Sequence, residues 1–179
     1  EDVKGTNILK MAGDDQPILC AGKVRFIGDP VAAVVATSED IASHALEKIV
    51  VTYEPLEPVL TSEEALKETI KVHDDRPNLF FQQPIIHGNV EKGFSESEVV
   101  VERSYVTQTV EHAYLENDSG VAFVHENGQL VILSPSQNIH AHRKTIAEAL
   151  GLNVEKVRVI QTPMGGAFGG KLDVSVGGI

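Results

Sequence analysis

LVILSPSQNIHAHRKTIAEALGLNVEKVRVIQTPMGGAFGGK, residues 130–171, decides the fold of this chain. Residues 130–133 are a short apolar run. Residues 121–125 form a second such run, and Glu126-Asn127-Gly128 lies between them. Asn-Gly between apolar runs is the strongest short-range hairpin signal. Residues 139–150 read as a helix with Ile139, Ile146 and Leu150 on one side and Gly151 just past its end. Asn153 is placed to cap a single turn, and residues 157–160 are the next strand. That strand runs straight into Pro163-Met164-Gly165-Gly166-Ala167-Phe168-Gly169-Gly170-Lys171.

Upstream, the pattern is also mixed. Residues 99–110 are rich in valine and threonine and predict a strand. Residues 23–27 alternate, as a half-buried strand does, and Gly28-Asp29-Pro30 is a turn. Residues 31–37 are nearly all apolar, which predicts a strand buried on both faces. Thr37-Ser38-Glu39-Asp40 opens a helix with a capping-box-like start, its apolar face made by Ile41, Ala45, Leu46 and Ile49. Residues 49–53 return to strand, stopped by Pro55 and Pro58, and residues 62–69 are a short capped helix. Residues 71–94 have no sustained period and many turn residues, so they read as a linker, with a domain boundary near residue 88.

Composition excludes several classes. Of 179 residues, 42% are hydrophobic and 23% charged, as in soluble globular chains. No apolar run approaches the ~18 residues of a membrane-spanning helix. Acids outnumber bases, 26 to 15, for a net charge of −11, which is no footprint for nucleic acid or an anionic membrane. The single cysteine, Cys20, excludes an internal disulfide and any cysteine-only iron–sulfur site within this chain, and flanked by Ile18 and Leu19 it reads as a buried small hydrophobe. The chain opens at Glu1 without a signal peptide or basic leader and stops at Gly177-Gly178-Ile179, which predicts a cytoplasmic fragment or an excised piece of a longer protein.

Four of the six residues from Gly165 to Gly170 are glycine, directly after a strand. Such a loop lets backbone N–H groups approach a ligand closely, or simply makes tight turns. A phosphate loop is one rival, because residues 165–171 fit G-x-x-x-x-G-K. The hydroxyl that should come next, to ligate Mg²⁺, is replaced by Leu172. A metal site among the seven histidines has little support. His140 and His142 are two apart on a helix and face different ways; His112 and Glu116 are four apart on a strand-like segment. Gln137, in Ser136-Gln137-Asn138, lies where a strand hands over to a helix; alone it reads as a helix-end residue satisfying a backbone donor.

Taken together, Ser136-Gln137-Asn138, a helix and a strand, and then Met164 to Lys171 resemble the molybdenum-binding subunit of the xanthine dehydrogenase and aldehyde oxidase family. That family carries a Gln-Asn pair and then M-G-G-G-F-G-G-K; here Ala167 replaces the middle glycine. Gly22-Lys23-Val24-Arg25-Phe26-Ile27-Gly28-Asp29-Pro30-Val31-Ala32 resembles the start of the family's α/β hammerhead domain, and Glu111-His112-Ala113-Tyr114-Leu115-Glu116 its E-H-x-x-L-E signature. The resemblance implies an α+β fold: a hammerhead domain with linker over residues 1–88, then the N-terminal part of a mixed α+β molybdopterin-binding domain, truncated, over residues 89–179.

It further implies a molybdenum–molybdopterin cofactor, bound by the full-length parent, and hydroxylation of an aldehyde or an N-heterocycle, purine-like or nicotinate-like, with oxygen from water. Electrons would leave through 2Fe-2S and FAD groups on partner subunits or domains, in an oligomeric complex. A non-catalytic assembly or binding module of such a complex is the alternative. By resemblance Gln137 and Phe168 lie near molybdenum without ligating it, and Gly165, Gly166, Ala167, Phe168 and Gly169 approach the cofactor. Leu172 lines the substrate pocket where xanthine-oxidising members carry a purine-binding glutamate, which favours an aldehyde or a differently oriented heterocycle. The family's general-base glutamate has no counterpart here, so no catalytic residue is expected in this stretch, and the chain alone is expected to be inactive.

Limited proteolysis of this chain is expected to cut first between His73 and Phe94, where the sequence predicts an exposed linker. Primary cleavage within residues 31–51 would count against the boundary.

Overall fold

The computed structural model describes residues 3–9, 13 and 16–172 of the chain. In chain order these form α1 (Glu39–Leu46), α2 (Ser62–Leu66), α3 (Val90–Glu96), β1 (Val121–Val124), β2 (Leu130–Ser134), α4 (Ile139–Leu150), a single 3₁₀ turn (Val154–Lys156) and β3 (Val157–Gln161). The fold is α+β, as the sequence implies.

The three strands make one sheet in the order β1-β2-β3. β1 and β2 are an antiparallel hairpin, with Val124 opposite Leu130. The turn is closed where the Gly128 N–H donates to the His125 carbonyl at 2.8 Å and the His125 N–H to the Gln129 carbonyl at 2.8 Å. β2 and β3 are parallel, Ser134 facing Gln161, with α4 as the crossover between them. Asn138 caps α4 through its side chain, which accepts from the Ala141 N–H, and Gly151 ends it at φ 65°, a left-handed residue that releases the chain toward the next turn. Asn153 caps the 3₁₀ turn as its position predicts.

Period 2 on the strands and period 3.6 on α4 bury one continuous core. Val157 and Val159 point inward from β3 with Arg158 between them outward. They pack with Ile132 of β2 and Ile146, Ala147 and Ala149 of α4. Leu9 and Ile18 join the same core from the N-terminal stretch. The Gly5 and Thr6 N–H groups donate to the carbonyls of Ala149 and Glu148, so this stretch satisfies acceptors that the end of α4 would otherwise leave open.

Two units divide the described residues: one made of those up to Glu47 with those from Val110 onward, the other of Lys48–Thr109. In the second unit the Thr61 hydroxyl and the Glu64 carboxylate complete a capping box on α2. The Asn78 side chain bonds Val72 N–H and the carbonyls of Ala65 and Ile70. The stretch read as a linker therefore contains an ordered polar hub, and it contains the start of α3, capped by Asn89, which the sequence reading did not anticipate.

Four expected strands do not form. Residues 23–27, 31–37, 49–53 and 99–110 carry no strand pairing. The reason is physical. A strand is stabilised by its neighbours, and these segments have none among the described residues. Val35, expected in a strand buried on both faces, is 99% exposed, and Val99, Val100, Tyr105 and Val106 are exposed as well. α1 forms as predicted, with Ser38 as its cap, and its apolar residues Ile41 and Leu46 are exposed. Cys20 is half-buried rather than buried, and its thiol is held above the usual range by desolvation and by the neighbouring Asp29.

Ile146, 2% exposed, sits at the centre of the core, whereas Leu150, on the same helix, is 37% exposed. In this chain Ile146→Ala is expected to cost about 2–5 kcal/mol of unfolding free energy. Leu150→Ala should cost about 0.5 kcal/mol. Chemical denaturation monitored by circular dichroism measures both.

Candidate functional site

Parallel strands end on the same side of their sheet, and the crevice beyond their carboxyl ends is where open α/β sheets bind ligands. β2 and β3 are such a pair. β2 leads into the 135–138 turn and β3 into the glycine loop; the Thr162 N–H reaches back to the Ser134 carbonyl at 3.2 Å and starts the two segments side by side.

They are joined again at the far end. The Gln137 N–H donates to the Lys171 carbonyl at 2.9 Å, and the Lys171 N–H donates to Gln137 Oε1 at 3.2 Å. Those two bonds fix the orientation of the Gln137 amide. Its oxygen faces the loop, and its Nε2 donor has no acceptor among the described residues on an exposed side chain. The expected helix-end role falls instead to Asn138, which caps α4; the Gln137 oxygen bonds the loop, and the donor half of its amide is unspent among the described residues.

The residue before it is pinned from behind. Ser136 is fully buried; its Oγ accepts from the Asn138 N–H at 2.9 Å and lies 3.2 Å from His142 Nε2. The same nitrogen is 3.2 Å from the Leu172 carbonyl, so the buried His142 ring ties the turn before α4 to the residue after the loop. Among the described residues, His142 Nδ1 is buried without a hydrogen-bond partner. His140, two residues away, is exposed, as the helical spacing implies.

The loop rests on the 112–116 segment, which is not the strand-like stretch expected but a bend with Ala113 at φ 47°. Contact is close enough to demand glycine. A Cβ on Gly165 would lie 2.8 Å from Glu116 Cβ, and one on Gly170 would lie 2.6 Å from the Tyr114 ring. Gly166 and Gly169 both take φ 98°, which side chains disfavour. Ala167 is buried with an ordinary φ, which is why the loop tolerates a methyl there. Phe168, between them, sits at φ 52° and is 78% exposed. A bulky residue in that region is strained by about 1–3 kcal/mol, and such strain gathers at functional sites. Two of the three described non-glycine residues with positive φ, Ala113 and Phe168, lie here.

One charged contact closes the arrangement. Lys171 is 1% exposed, and its Nζ lies 2.5 Å from Glu116 Oε2 and 4.8 Å from the centre of the Tyr114 ring. The Lys171 ammonium and the Gly165 N–H together hold the Glu116 carboxyl below the usual range. This arrangement also removes the phosphate-loop reading, because that reading needs the lysine free to reach phosphates, and here its ammonium is buried against a carboxylate.

The structure therefore brings Gln137, Gly165, Gly166, Ala167, Phe168, Gly169 and the exposed Leu172 to one end of the sheet. Sequence reasoning did not find the Glu116–Lys171 pair or the His142 tie. The signal for the pair was there, a lysine closing a glycine loop and a glutamate ending the other signature. Their separation of 55 positions in sequence hid the contact.

The chain matches two family models. Residues 72–177 match the molybdopterin cofactor-binding domain, and residues 1–57 match the a/b hammerhead domain of aldehyde oxidase and xanthine dehydrogenase. It is 36% identical to a probable xanthine dehydrogenase subunit of Bacillus subtilis (strain 168), over 98% of this chain and 24% of that protein. It is 38% identical to the nicotinate dehydrogenase large molybdopterin subunit of Eubacterium barkeri, over 97% of this chain and 41% of that one. In structure it is similar to the aldehyde oxidoreductase from Desulfovibrio gigas, with a TM-score of 0.85 and 35% identity over 94% of this chain and 20% of that one. The chain thus spans less than half the length of these relatives.

The depressed Glu116 value gives a pH signature. Its contribution is present above the ordinary carboxylate range and is lost as pH falls through the depressed value. In thermal melts of this chain, Glu116→Gln is expected to be less stable than the parent at neutral pH, with the gap closing as pH drops below about 4. A gap that stays constant into that acid range would contradict the pairing.

Proposed function

The chain belongs to the xanthine dehydrogenase and aldehyde oxidase family, and from that premise we propose that it forms one wall of a molybdenum–molybdopterin site in a hydroxylating oxidoreductase. The observation that carries this reading is the Gln137 amide, whose oxygen is tied to the Lys171 N–H and whose Nε2 donor is left facing out beside a glycine cradle.

The residues fit the group. Among the described residues, no set of three or more His, Cys, Asp or Glu side chains is arranged to hold a metal ion. That suits a metal that arrives with its own organic ligand and needs only surrounding donors from these residues. A Cβ on Gly166 would face Tyr114 at 3.5 Å and one on Gly169 would face His112 at 3.6 Å, so both glycines turn the loop against the 112–116 segment, and the exposed main chain at Phe168 and Gly169 is what a planar or oxo-bearing group could approach. When bound, the cofactor would supply two-electron oxidation of a carbon, with oxygen taken from water.

Each residue then has a task. Gln137 donates through Nε2 to an oxygen acceptor on the cofactor; as a neutral amide it donates without competing as a base. Gly165, Gly166, Ala167, Phe168 and Gly169 set the main chain against the same face. Leu172, exposed and without a polar group on its side chain, lines the substrate pocket. An apolar wall cannot bond a purine edge, so the reading favours an aldehyde or an N-heterocycle held by other groups. One cysteine cannot hold iron–sulfur clusters, so electrons pass to 2Fe-2S and FAD groups on partner domains or subunits.

No described helix is long and apolar enough to cross a membrane. The reading places the enzyme in the cytoplasm, where a free thiol such as Cys20 stays reduced. This stretch by itself is proposed to be inactive, because one wall of a site does not preorganise the rest.

Two variants of the metal-loaded full-length protein test the Gln137 assignment. Gln137→Glu keeps an acceptor for the Lys171 N–H but loses the outward donor; Gln137→Ala loses both. Both are expected to lower kcat by ~10²–10³, by analogy with the removal of other preorganised donors. Only Gln137→Ala should also lower the melting temperature, through the lost loop bond, worth about 1 kcal/mol. Unchanged turnover in both would overturn the assignment.

A further inference from the structure

Glu116 holds both ends of the glycine loop with one oxygen. Its Oε2 accepts from the Gly165 N–H at 3.0 Å, where the loop begins, and from Lys171 Nζ at 2.5 Å, where it ends. The Glu116 N–H returns a bond to the Gly165 carbonyl at 3.3 Å. Tyr114 lies beneath both ends, its ring beside the Lys171 ammonium and in the space that a side chain on Gly170 would fill. Among the described residues, the main chain between these fixed points is held by short turn bonds, from the Gly170 N–H to the Ala167 carbonyl at 2.8 Å and from the Leu172 N–H to the Gly169 carbonyl at 3.1 Å. The strained Phe168 and the exposed Gly169 are at the apex.

We infer that Glu116 and Lys171, backed by Tyr114, form a clasp that sets the shape of the cofactor loop and the orientation of the Gln137 amide. They are positioning residues. The mechanical link is direct, because the main chain of Lys171 carries both hydrogen bonds to Gln137 while its side chain is anchored in Glu116. A loop with four glycines has much conformational freedom to lose, and strain at Phe168 persists only if its surroundings over-determine it. A buried cation against a carboxylate provides that determination, since breaking the pair strands a charge. The inference deepens the cofactor reading and rests on it for what the loop is positioned toward.

The test uses the full-length protein as wild type, Glu116→Gln, Lys171→Met and the double variant. Hydrogen exchange of the Gly165, Gly170 and Lys171 amides is read on cofactor-free protein; molybdenum per chain is read after gel filtration of loaded protein. Glu116→Gln leaves the buried Lys171 ammonium uncompensated and is expected to melt lowest, whereas Lys171→Met leaves a Glu116 carboxylate that solvent still reaches and is expected to melt only slightly lower. The double variant has no stranded charge and should melt close to wild type.

If the pair positions the loop, the double variant nevertheless exchanges those amides about tenfold faster or more, with β2 and β3 amides unchanged, and retains several-fold less molybdenum. If the double variant keeps wild-type exchange at the loop, the clasp is overturned, whatever its metal content. Should either single variant fail to fold, the double variant decides alone. Wild-type protein that carries no molybdenum, while its loop exchange still depends on the pair, would sink the cofactor reading and leave the clasp standing.

Discussion

A lysine ammonium that water does not reach must find an anion, because an unpaired buried charge costs several kcal/mol even after relaxation. Lys171 meets that constraint through Glu116, and much of the site depends on it. The loop has to fold back on the 112–116 segment for the two to meet. Folding back brings Gly165 and Gly170 so near that segment that neither can carry a side chain. It also places the Lys171 main chain against Gln137, which fixes which end of that amide faces out. A single ion pair thereby couples three stretches that are distant in sequence.

The sheet and α4 supply the frame on which this happens. β2 and β3 are parallel and adjacent, so the turn after one and the loop after the other begin side by side. The core beneath them is made by alternate residues of the strands and one face of α4, with Leu9 and Ile18 from the N-terminal stretch closing it. Rigid elements hold the ends of the segments, and the segments themselves carry polar groups and strain. That division, firm strands below and a strained, glycine-rich rim above, is the one in which backbone N–H groups and a side-chain amide can be aimed at a ligand without reorganising.

The sequence made the local parts legible and hid the long-range ones. The hairpin around Asn127-Gly128, α4 from Ile139 to Leu150, the Asn153 turn and β3 could all be read because turn chemistry, capping and period act over a few residues. Residues 31–37 and 99–110 have the composition of strands but stay unpaired, since pairing depends on neighbours that composition does not name. α3 was missed because its short run, from Val90 to Glu96, carries a glycine and only one clear cap, Asn89. At the site, the glycine loop and Gln137 stood out as motifs. Glu116 was legible as the end of a signature and His142 as a histidine on α4, but not their partners, because each makes a contact across dozens of residues, visible only once the chain is folded.

The central claim is that the Gln137 turn and the glycine loop form one cradle for a molybdenum cofactor. Anomalous scattering at the molybdenum absorption edge, from crystals of the metal-loaded full-length protein, tests it most directly. The account predicts a molybdenum peak beside Gln137 Nε2 and the Phe168–Gly169 main chain, with the Glu116–Lys171 pair intact behind them. A molybdenum peak bound elsewhere in the protein, with Gln137 Nε2 facing bulk solvent, would contradict it.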